Sequence, residues 1–197
     1  MVQHRTLASL LVVAGGAIAL SATMPTVEPA TGQDPAMEAP SEHHQRILES
    51  VGEWEGTLTW AEAPGMPAGT TKATESVEKI GGFWTRAKFE CDFMGMPYHG
   101  SGLLGYSAKD KKYVGTWVDS MSSHFSLMEG QYDEKRKLLV MHWEAPDMTG
   151  KMNHHRSELT RTANEYSLTF FVGKGDAATQ MMVIAMKRKA KGKKGGK

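Results

Sequence analysis

The sequence predicts an all-β protein: a closed antiparallel meander barrel of about ten strands with one short N-terminal helix. Three observations predict it. Between residues 53 and 187, apolar and polar residues alternate with a period of two, which places successive side chains on opposite faces of a strand. Short stretches of turn-forming residues separate these runs and leave no room for crossover helices, so neighbouring strands should be antiparallel. A long meander removes its edges most completely by closing into a barrel, and a two-sheet sandwich is the alternative.

The composition fits one domain that is held together by its core. The chain has 197 residues, with 23 Lys+Arg against 22 Asp+Glu and a single cysteine, Cys91. One cysteine excludes an intramolecular disulfide framework and any zinc or iron–sulfur site built from several thiolates of this chain. A domain of about 150 residues buries roughly 68–70% of the surface that its unfolded chain exposes, so it needs no covalent crosslink.

The N-terminal residues are typical of an export signal. His4 and Arg5 precede an apolar run of 14 residues, 7–20, which is shorter than the ~18 residues of a membrane-spanning helix. We expect a signal peptide over residues 1–22, with cleavage as late as residue 32, and a disordered leader over 23–40. An uncleaved anchor is the alternative. The mature chain is therefore expected to be periplasmic or extracellular.

The C-terminus carries a concentrated positive charge. Residues 187–197 include seven lysines and arginines and no acidic residue, whereas residues 33–186 carry a formal charge of −6. We expect the barrel domain to span residues 41–187 and residues 188–197 to form a disordered basic tail. Lys187 to Lys197 could contact an anionic envelope surface, or the tail could simply be solubilising. No specific nucleic-acid partner is expected, because neither a folded basic surface nor stacking aromatics are evident.

One helix is predicted before the first strand. Ser41 is a suitable N-cap residue and Glu42 suits the first helical turn. Ile47, Leu48 and Val51 form an apolar stripe that ends at Gly52. We expect this helix to plug one end of the barrel.

The strand pattern recurs ten times. In residues 53–60, Trp54, Leu58 and Trp60 share one face, and in residues 83–93 the apolar face includes Phe89. The ten runs are residues 53–60, 70–80 (the weakest), 83–93, 98–106, 112–119, 123–132, 137–145, 151–160, 165–172 and 179–187.

Several short motifs resemble the bacterial domain-of-unknown-function family 1579. The resemblance covers residues 43–187 and implies a barrel similar to lipocalins and fatty-acid-binding proteins, which are calycin-like folds, but it implies no activity. Gly52-Glu53-Trp54 is similar to the Gly-x-Trp signature that opens lipocalin barrels. The motifs are His43-His44, Gly52-Glu53-Trp54-Glu55-Gly56, Gly81-Gly82-Phe83, Gly100-Ser101-Gly102-Leu103-Leu104-Gly105-Tyr106, residues 112–120 and Gly130-Gln131-Tyr132-Asp133.

A barrel of this size either holds one small ligand or is filled by its own side chains. The first hypothesis is a barrel that binds a small, mostly apolar molecule, and the second is a filled structural or interaction module attached to the envelope by its tail. Glycines at positions 100, 102, 105, 115 and 130 would leave room inside, or relieve strand curvature. The candidate ligand-binding residues are Trp54, Phe89, Tyr106, Tyr113, Trp117, Asp119, His142 and Arg156.

Asp119 is the polar member of this candidate site. It shares a strand face with Tyr113 and Trp117, so an inward carboxylate would have to be paired or protonated, and Arg156 and His142 are candidate partners. The alternative is that Asp119 caps the turn at residues 120–123. Catalysis by Asp119, His142 and Arg156 is a third hypothesis, which no recognisable catalytic or nucleotide-binding motif in the sequence supports.

No cofactor, metal site or catalytic residue is predicted. His154 and His155 are neighbours on a strand and should point to opposite faces, which disfavours chelation of one metal ion by the pair. Non-covalent haem bound by a single histidine is the alternative. The 14 methionines are expected to fill the core and to form adaptable apolar lining rather than to bind a soft metal.

Overall fold

Ten strands, each paired with the next along the chain, form the body of the protein. The computed structural model describes residues 38–63, 65–147 and 150–190. The elements are α1 (Glu42–Leu48), β1 (Gly52–Trp60), β2 (Gly69–Ile80), β3 (Trp84–Phe93), β4 (Met96–Ser107), β5 (Lys112–Asp119), β6 (Ser122–Asp133), β7 (Leu138–Pro146), β8 (Met152–Arg161), β9 (Glu165–Val172) and β10 (Thr179–Arg188).

The sheet closes on itself. Every neighbouring pair is antiparallel, and β1 pairs with both β2 and β10, so no edge strand is left. This confirms the predicted closed meander barrel over the sandwich. Closure suits the sequence, because every strand has an apolar face and a closed sheet encloses all of these faces while it leaves no edge unpaired.

Each of the ten predicted runs corresponds to one strand. The run at residues 70–80 has the weakest pattern in the sequence, yet it forms β2, which is 12 residues long. The last strand ends at Arg188, one residue inside the segment predicted as tail. The first strand begins at Gly52, the residue expected to end the helix.

The helix α1 covers one end of the barrel, called here the closed end. His44 and Ile47 are its buried residues, and Ile47 packs against a core cluster that contains Tyr113, Leu139 and Met141. The apolar stripe is shorter than predicted, because Val51 lies beyond the helix. At the opposite end, called the open end, the strands are joined by turns and one short 3-10 helix at Gly175–Ala177.

The predicted signal peptide (1–22, or up to 32) lies outside the described residues, as does the leader up to residue 37 and the tail from residue 191. Within the described part of the chain, no helix has both the length and the apolarity needed to cross a bilayer.

Candidate ligand-binding cavity

The barrel encloses a cavity of about 560 Å³. We call it the barrel cavity. Its middle is lined by inward-facing apolar side chains from opposite walls, because alternation sends every second residue of each strand inward. These include Leu58, Val77, Phe89, Met128, Met141, Leu168, Phe170 and Ile184.

Trp117 forms a flat part of the wall because glycines face it on the neighbouring strand. A Cβ atom at Gly100 would overlap the Trp117 indole ring, and one at Gly102 would overlap both the Thr116 carbonyl oxygen and the ring, so these glycines make space for the ring. The indole Nε1–H donates to the Tyr98 hydroxyl at 3.1 Å, which fixes the ring's direction. Gly105 likewise makes space for the ring of Trp84, which lies on the outside of the barrel.

Gly130 and Gly115 have a different role. A Cβ at Gly130 would overlap the Val140 carbonyl oxygen, and one at Gly115 would crowd the Leu103 carbonyl oxygen. The adjacent strands therefore approach closely at these positions. Neither glycine simply adds empty volume to the barrel.

Polar side chains cluster near the open end. The Asp119 carboxylate accepts the Met121 backbone N–H at 2.9 Å and also lines the cavity, so it caps the turn and faces the interior. Burial raises the pKa of Tyr98, and the nearby Asp119 charge raises it further. Both effects keep the Tyr98 hydroxyl protonated.

His155 also lines the cavity near this end. Its ring stacks on Trp143 with a centroid separation of 5.4 Å, and its buried Nε2 has no hydrogen-bond partner among the described residues. Burial lowers the pKa of His155, which favours the neutral ring. His154 points outward and contacts Glu144, so the two neighbours lie on opposite faces, as predicted.

A second polar cluster lies at the closed end. The Tyr166 hydroxyl donates to Glu75 Oε2 at 2.7 Å, although Tyr166 is on β9 and Glu75 is on β2. Strands β10 and β1 separate them in the sheet, so this hydrogen bond crosses the interior. Arg161 lines the cavity beside them, and its Nη2 donates to the Arg46 backbone carbonyl of α1.

Burial dominates the electrostatics of this cluster. Desolvation raises the pKa of Glu75 to about 7, although the Tyr166 hydrogen bond and the Arg161 charge both act to lower it. Burial also lowers the pKa of Arg161. The two opposite charges do not form an ion pair within 4.0 Å, so each is only partly compensated.

Three of the eight candidate residues line the cavity: Phe89, Trp117 and Asp119. Trp54 is fully buried in the core and touches Tyr166, with their rings edge to face at 5.1 Å. It points into the barrel on the same face of β1 as Leu58 and packs against the cavity-lining Tyr166 without lining the cavity itself.

Tyr106 and Tyr113 belong to the contact between the barrel and α1. His43 stacks on Tyr106 at 4.1 Å, and the Tyr113 hydroxyl accepts an N–H from Arg46 at 3.1 Å. Their rings fill the space under the helix and do not line the cavity.

His142 and Arg156 lie on the outer face of the barrel. They are paired in register across β7 and β8, and their neighbours in sequence, Met141 and His155, face the cavity. His142 contacts His154 at 3.1 Å, and Arg156 pairs with Glu158 at 3.0 Å. The structure therefore does not bring them to Asp119, because the strand alternation places them on the opposite face.

The polar cluster at the closed end was not predicted from the sequence. One signal was present: Glu75 lies between Ala73 and Val77, both buried, so a carboxylate interrupts an apolar face. Arg161 similarly follows Leu159 on the inward face of β8. A charged residue on an inward face indicates a polar group inside the barrel.

Several methionines occupy the open end instead of the core. Those with high exposure in the described part of the chain are all in or beside its turns: Met94, Met96, Met121 and Met152. Met94, Met96 and Met152 therefore do not fill the core, whereas Met121 lines the barrel cavity, as expected of an apolar lining residue. No group of three or more His, Cys, Asp or Glu side chains in residues 38–190, as far as these are described, is arranged to hold a metal ion.

A family model described as "Protein of unknown function (DUF1579)" matches residues 39–188. The chain belongs to this family. The DUF1579 match covers α1 and all ten strands, and it agrees with the resemblance carried by the glycine and tryptophan motifs. No curated protein matches the sequence.

Two solved structures share the DUF1579 barrel fold. Rv2717c from M. tuberculosis is 11% identical, with a TM-score of 0.57 over 77% of this chain and 100% of that chain. The S-type phycobiliprotein lyase CPES from Guillardia theta is 12% identical, with a TM-score of 0.51 over 76% of this chain and 93% of that chain. At these identities the similarity establishes the fold alone.

Proposed function

We propose that this protein binds one small, mostly apolar molecule inside the barrel cavity, and that it does so outside the cytoplasm. The observation that carries the proposal is the cavity itself, about 560 Å³ between walls of apolar side chains. Cavities of roughly 300–1,000 Å³ accommodate small organic ligands in many proteins. Export rests on the expected signal peptide at residues 1–22.

The cavity favours a hollow barrel over a filled one. Protein interiors are normally packed without voids larger than a water molecule, because each void forfeits contacts between its walls. A ligand with an apolar body would restore those contacts and remove its own apolar surface from water, at roughly 25 cal/mol per Å². The polar groups at both ends of the cavity would then orient the ligand.

The decisive experiment is native mass spectrometry of the protein purified from an exporting host, combined with binding of the neutral fluorescent probe N-phenylnaphthylamine. A retained mass or saturable probe binding is expected. A protein that carries no ligand and binds no probe would contradict the proposal and favour the filled module. A Soret band in the purified protein would instead identify the ligand as haem.

A matched pair of variants locates the binding. Ala87 lines the cavity, and its neighbour Lys88 is exposed on the outer face of the same strand. Ala87→Trp should weaken probe binding by about tenfold or more by filling the space, whereas Lys88→Trp should leave it unchanged. Equal binding by both variants would place the probe outside the barrel.

Attachment to the envelope through Lys187 to Lys197 is a separate proposal. Its support is the charge of this segment, which should attract anionic lipid by about 1 kcal/mol for each basic residue near the surface. A chain truncated after Ala190 should lose salt-sensitive retention on anionic vesicles relative to the full chain. Equal retention would assign the tail a solubilising role.

A further inference from the structure

Asp119 places a carboxylate at the mouth of an apolar cavity. The side chain lines the barrel cavity at the open end and is only partly buried, so a molecule that enters the barrel can reach it. One carboxylate oxygen accepts the Met121 backbone N–H at 2.9 Å. A carboxylate can accept about four hydrogen bonds, so Asp119 keeps capacity for a donor on a ligand.

No cation of the described residues offsets the charge of this carboxylate. Asp119 forms no ion pair with any of them. Among the described lysines and arginines, only Arg161 lines the cavity, and it lies at the closed end. Arg156, which the sequence suggested as a partner of Asp119, lies on the outer face of the barrel and pairs with Glu158 instead.

The neighbouring strand adds hydrogen-bond acceptors beside Asp119. Ser122 is paired directly with Asp119 in the β5–β6 register, and both Ser122 and Ser126 line the cavity. His124 lies between them and also lines it. The His124 Nε2 donates to the Glu144 carbonyl oxygen at 3.2 Å, so the Nδ1 atom of the uncharged ring is an acceptor. This part of the wall is therefore rich in acceptors.

Two aromatic side chains complete this part of the wall. Trp117 and Tyr98, which are joined by their hydrogen bond, line the cavity on the same inward face as Asp119. Aromatic rings attract cations through the negative potential of their faces. A carboxylate, hydroxyl groups and aromatic rings together suit a cationic group, and they offer no positive charge to an anion.

The entry of a ligand would make the charge of Asp119 decisive. An apolar body displaces water from the cavity, so the carboxylate loses part of its hydration. A neutral head group does not replace the lost electrostatic stabilisation, and a second carboxylate adds repulsion between like charges. An ammonium group brings the opposite charge and three N–H donors, which match the acceptors of this wall.

We propose that the open end of the barrel cavity binds the ammonium group of a cationic amphiphile. The ammonium group donates to the Asp119 carboxylate, and the hydrocarbon body lies inside the barrel. The ligand class is therefore a primary amine attached to a long apolar chain. This inference rests on the proposed function, since it names the ligand class of the same cavity.

The test compares three ligands with hydrocarbon chains of the same length: dodecylamine, 1-dodecanol and dodecanoate. Each displaces N-phenylnaphthylamine from the protein at pH 8, where dodecylamine is protonated and dodecanoate is ionised. Dodecylamine should bind about tenfold more tightly than dodecanol, and dodecanoate should bind most weakly. Binding of dodecanol or dodecanoate as tight as that of dodecylamine would overturn the inference.

Asp119→Asn tests the part played by the carboxylate. The variant keeps an oxygen that can accept the Met121 N–H but removes the negative charge, so dodecylamine affinity should fall about tenfold, to that of dodecanol. Dodecanol affinity should be unchanged, which shows that the cavity is intact.

The matched control is Asp92→Asn. It removes the same charge from an exposed residue near the open end of β3 that does not line the cavity. Asp92→Asn should leave the preference for dodecylamine unchanged. An equal loss of this preference in both variants would assign it to the net charge of the protein and overturn the inference.

Failure of this inference is distinguishable from failure of the proposed function. Equal binding of all three ligands, unchanged in Asp119→Asn, would overturn the ammonium site while the cavity remained a binding site. Absence of binding by the probe and by all three ligands would contradict both proposals.

Discussion

The Arg188 guanidinium lies over the Trp54 indole ring, 4.1 Å from its centroid. Its three nitrogens donate to the backbone carbonyls of Glu49, Val51 and Ala163 at 2.6–2.8 Å. One side chain at the end of β10 therefore joins the α1–β1 connection to the β8–β9 turn. It also covers the buried Trp54 at the closed end of the barrel.

Arg188→Ala should destabilise the protein by about 3 kcal/mol, since it removes a cation–π contact and leaves carbonyl groups without donors. Urea unfolding monitored by circular dichroism would measure this. Lys187→Ala is the control, because Lys187 is exposed on the outer side of the same strand, and it should change stability little. Equal effects of the two substitutions would show that the Arg188 contacts contribute nothing specific.

Gly52→Ala should be destabilising for a related reason. Gly52 has φ of +144°, a conformation that side chains rarely adopt, and a Cβ there would overlap Arg188 Nη1. Gly95→Ala is the control, because Gly95 also has positive φ but no atom lies near its Cβ position. Gly52→Ala should cost at least 1 kcal/mol more than the control, measured by urea unfolding. In the Arg188→Ala background the part of this excess that comes from the overlap with Nη1 should disappear, and only the part that comes from the backbone conformation of Gly52 should remain.

The stability contributed by Glu75 should fall as pH rises. Its pKa in the folded state is about 7, above the ordinary value of 4.5, so the folded state holds a proton that the unfolded state has lost. Its contribution is fully present below about pH 4.5 and is lost as pH rises through 7, at a total cost of about 3 kcal/mol.

Glu75→Gln removes this titration. As pH rises from 4.5 to 7.5, the unfolding free energy of the variant should therefore increase by about 3 kcal/mol relative to that of the wild type. His142 and His155, whose pKa values are lowered, contribute equally to both proteins and cancel. Exposed Glu78 has a lowered pKa, so Glu78→Gln should not reproduce the rise. A constant difference for Glu75→Gln would contradict burial of an ionisable carboxyl.

Gly100→Ala should push the Trp117 ring into the barrel cavity. The atoms nearest to a Cβ at this position all belong to the Trp117 indole, so the ring must move. We expect a changed tryptophan fluorescence spectrum, weaker probe binding and a loss of about 1–3 kcal/mol in unfolding free energy. In a Trp117→Leu background, Gly100→Ala should lower the unfolding free energy very little. An unchanged loss would show that the substitution acts on the backbone and not through the Trp117 ring.

The barrel was predictable because its signal is local and repeated. The alternation in each run indicates which side chains share a face. The short turns favour antiparallel pairing between strands that follow each other in the chain. Phe89 and Trp117 were identified as cavity residues by this reasoning. His142 and Arg156 were grouped with Asp119 on chemistry alone, although the alternation of β7 and β8 places Met141 and His155 inward instead.

The sequence by itself determined the strands, their order and the polarity of their faces, because each depends on residues close together in the chain. Only the tertiary structure decided what meets inside. Tyr166 reaches Glu75 from 91 positions away, and the helix covers one end of the barrel through Arg46 and Ile47. Such contacts form only when the sheet closes and brings strands that are far apart in the sequence to face each other. A local sequence pattern does not specify which side chains then meet.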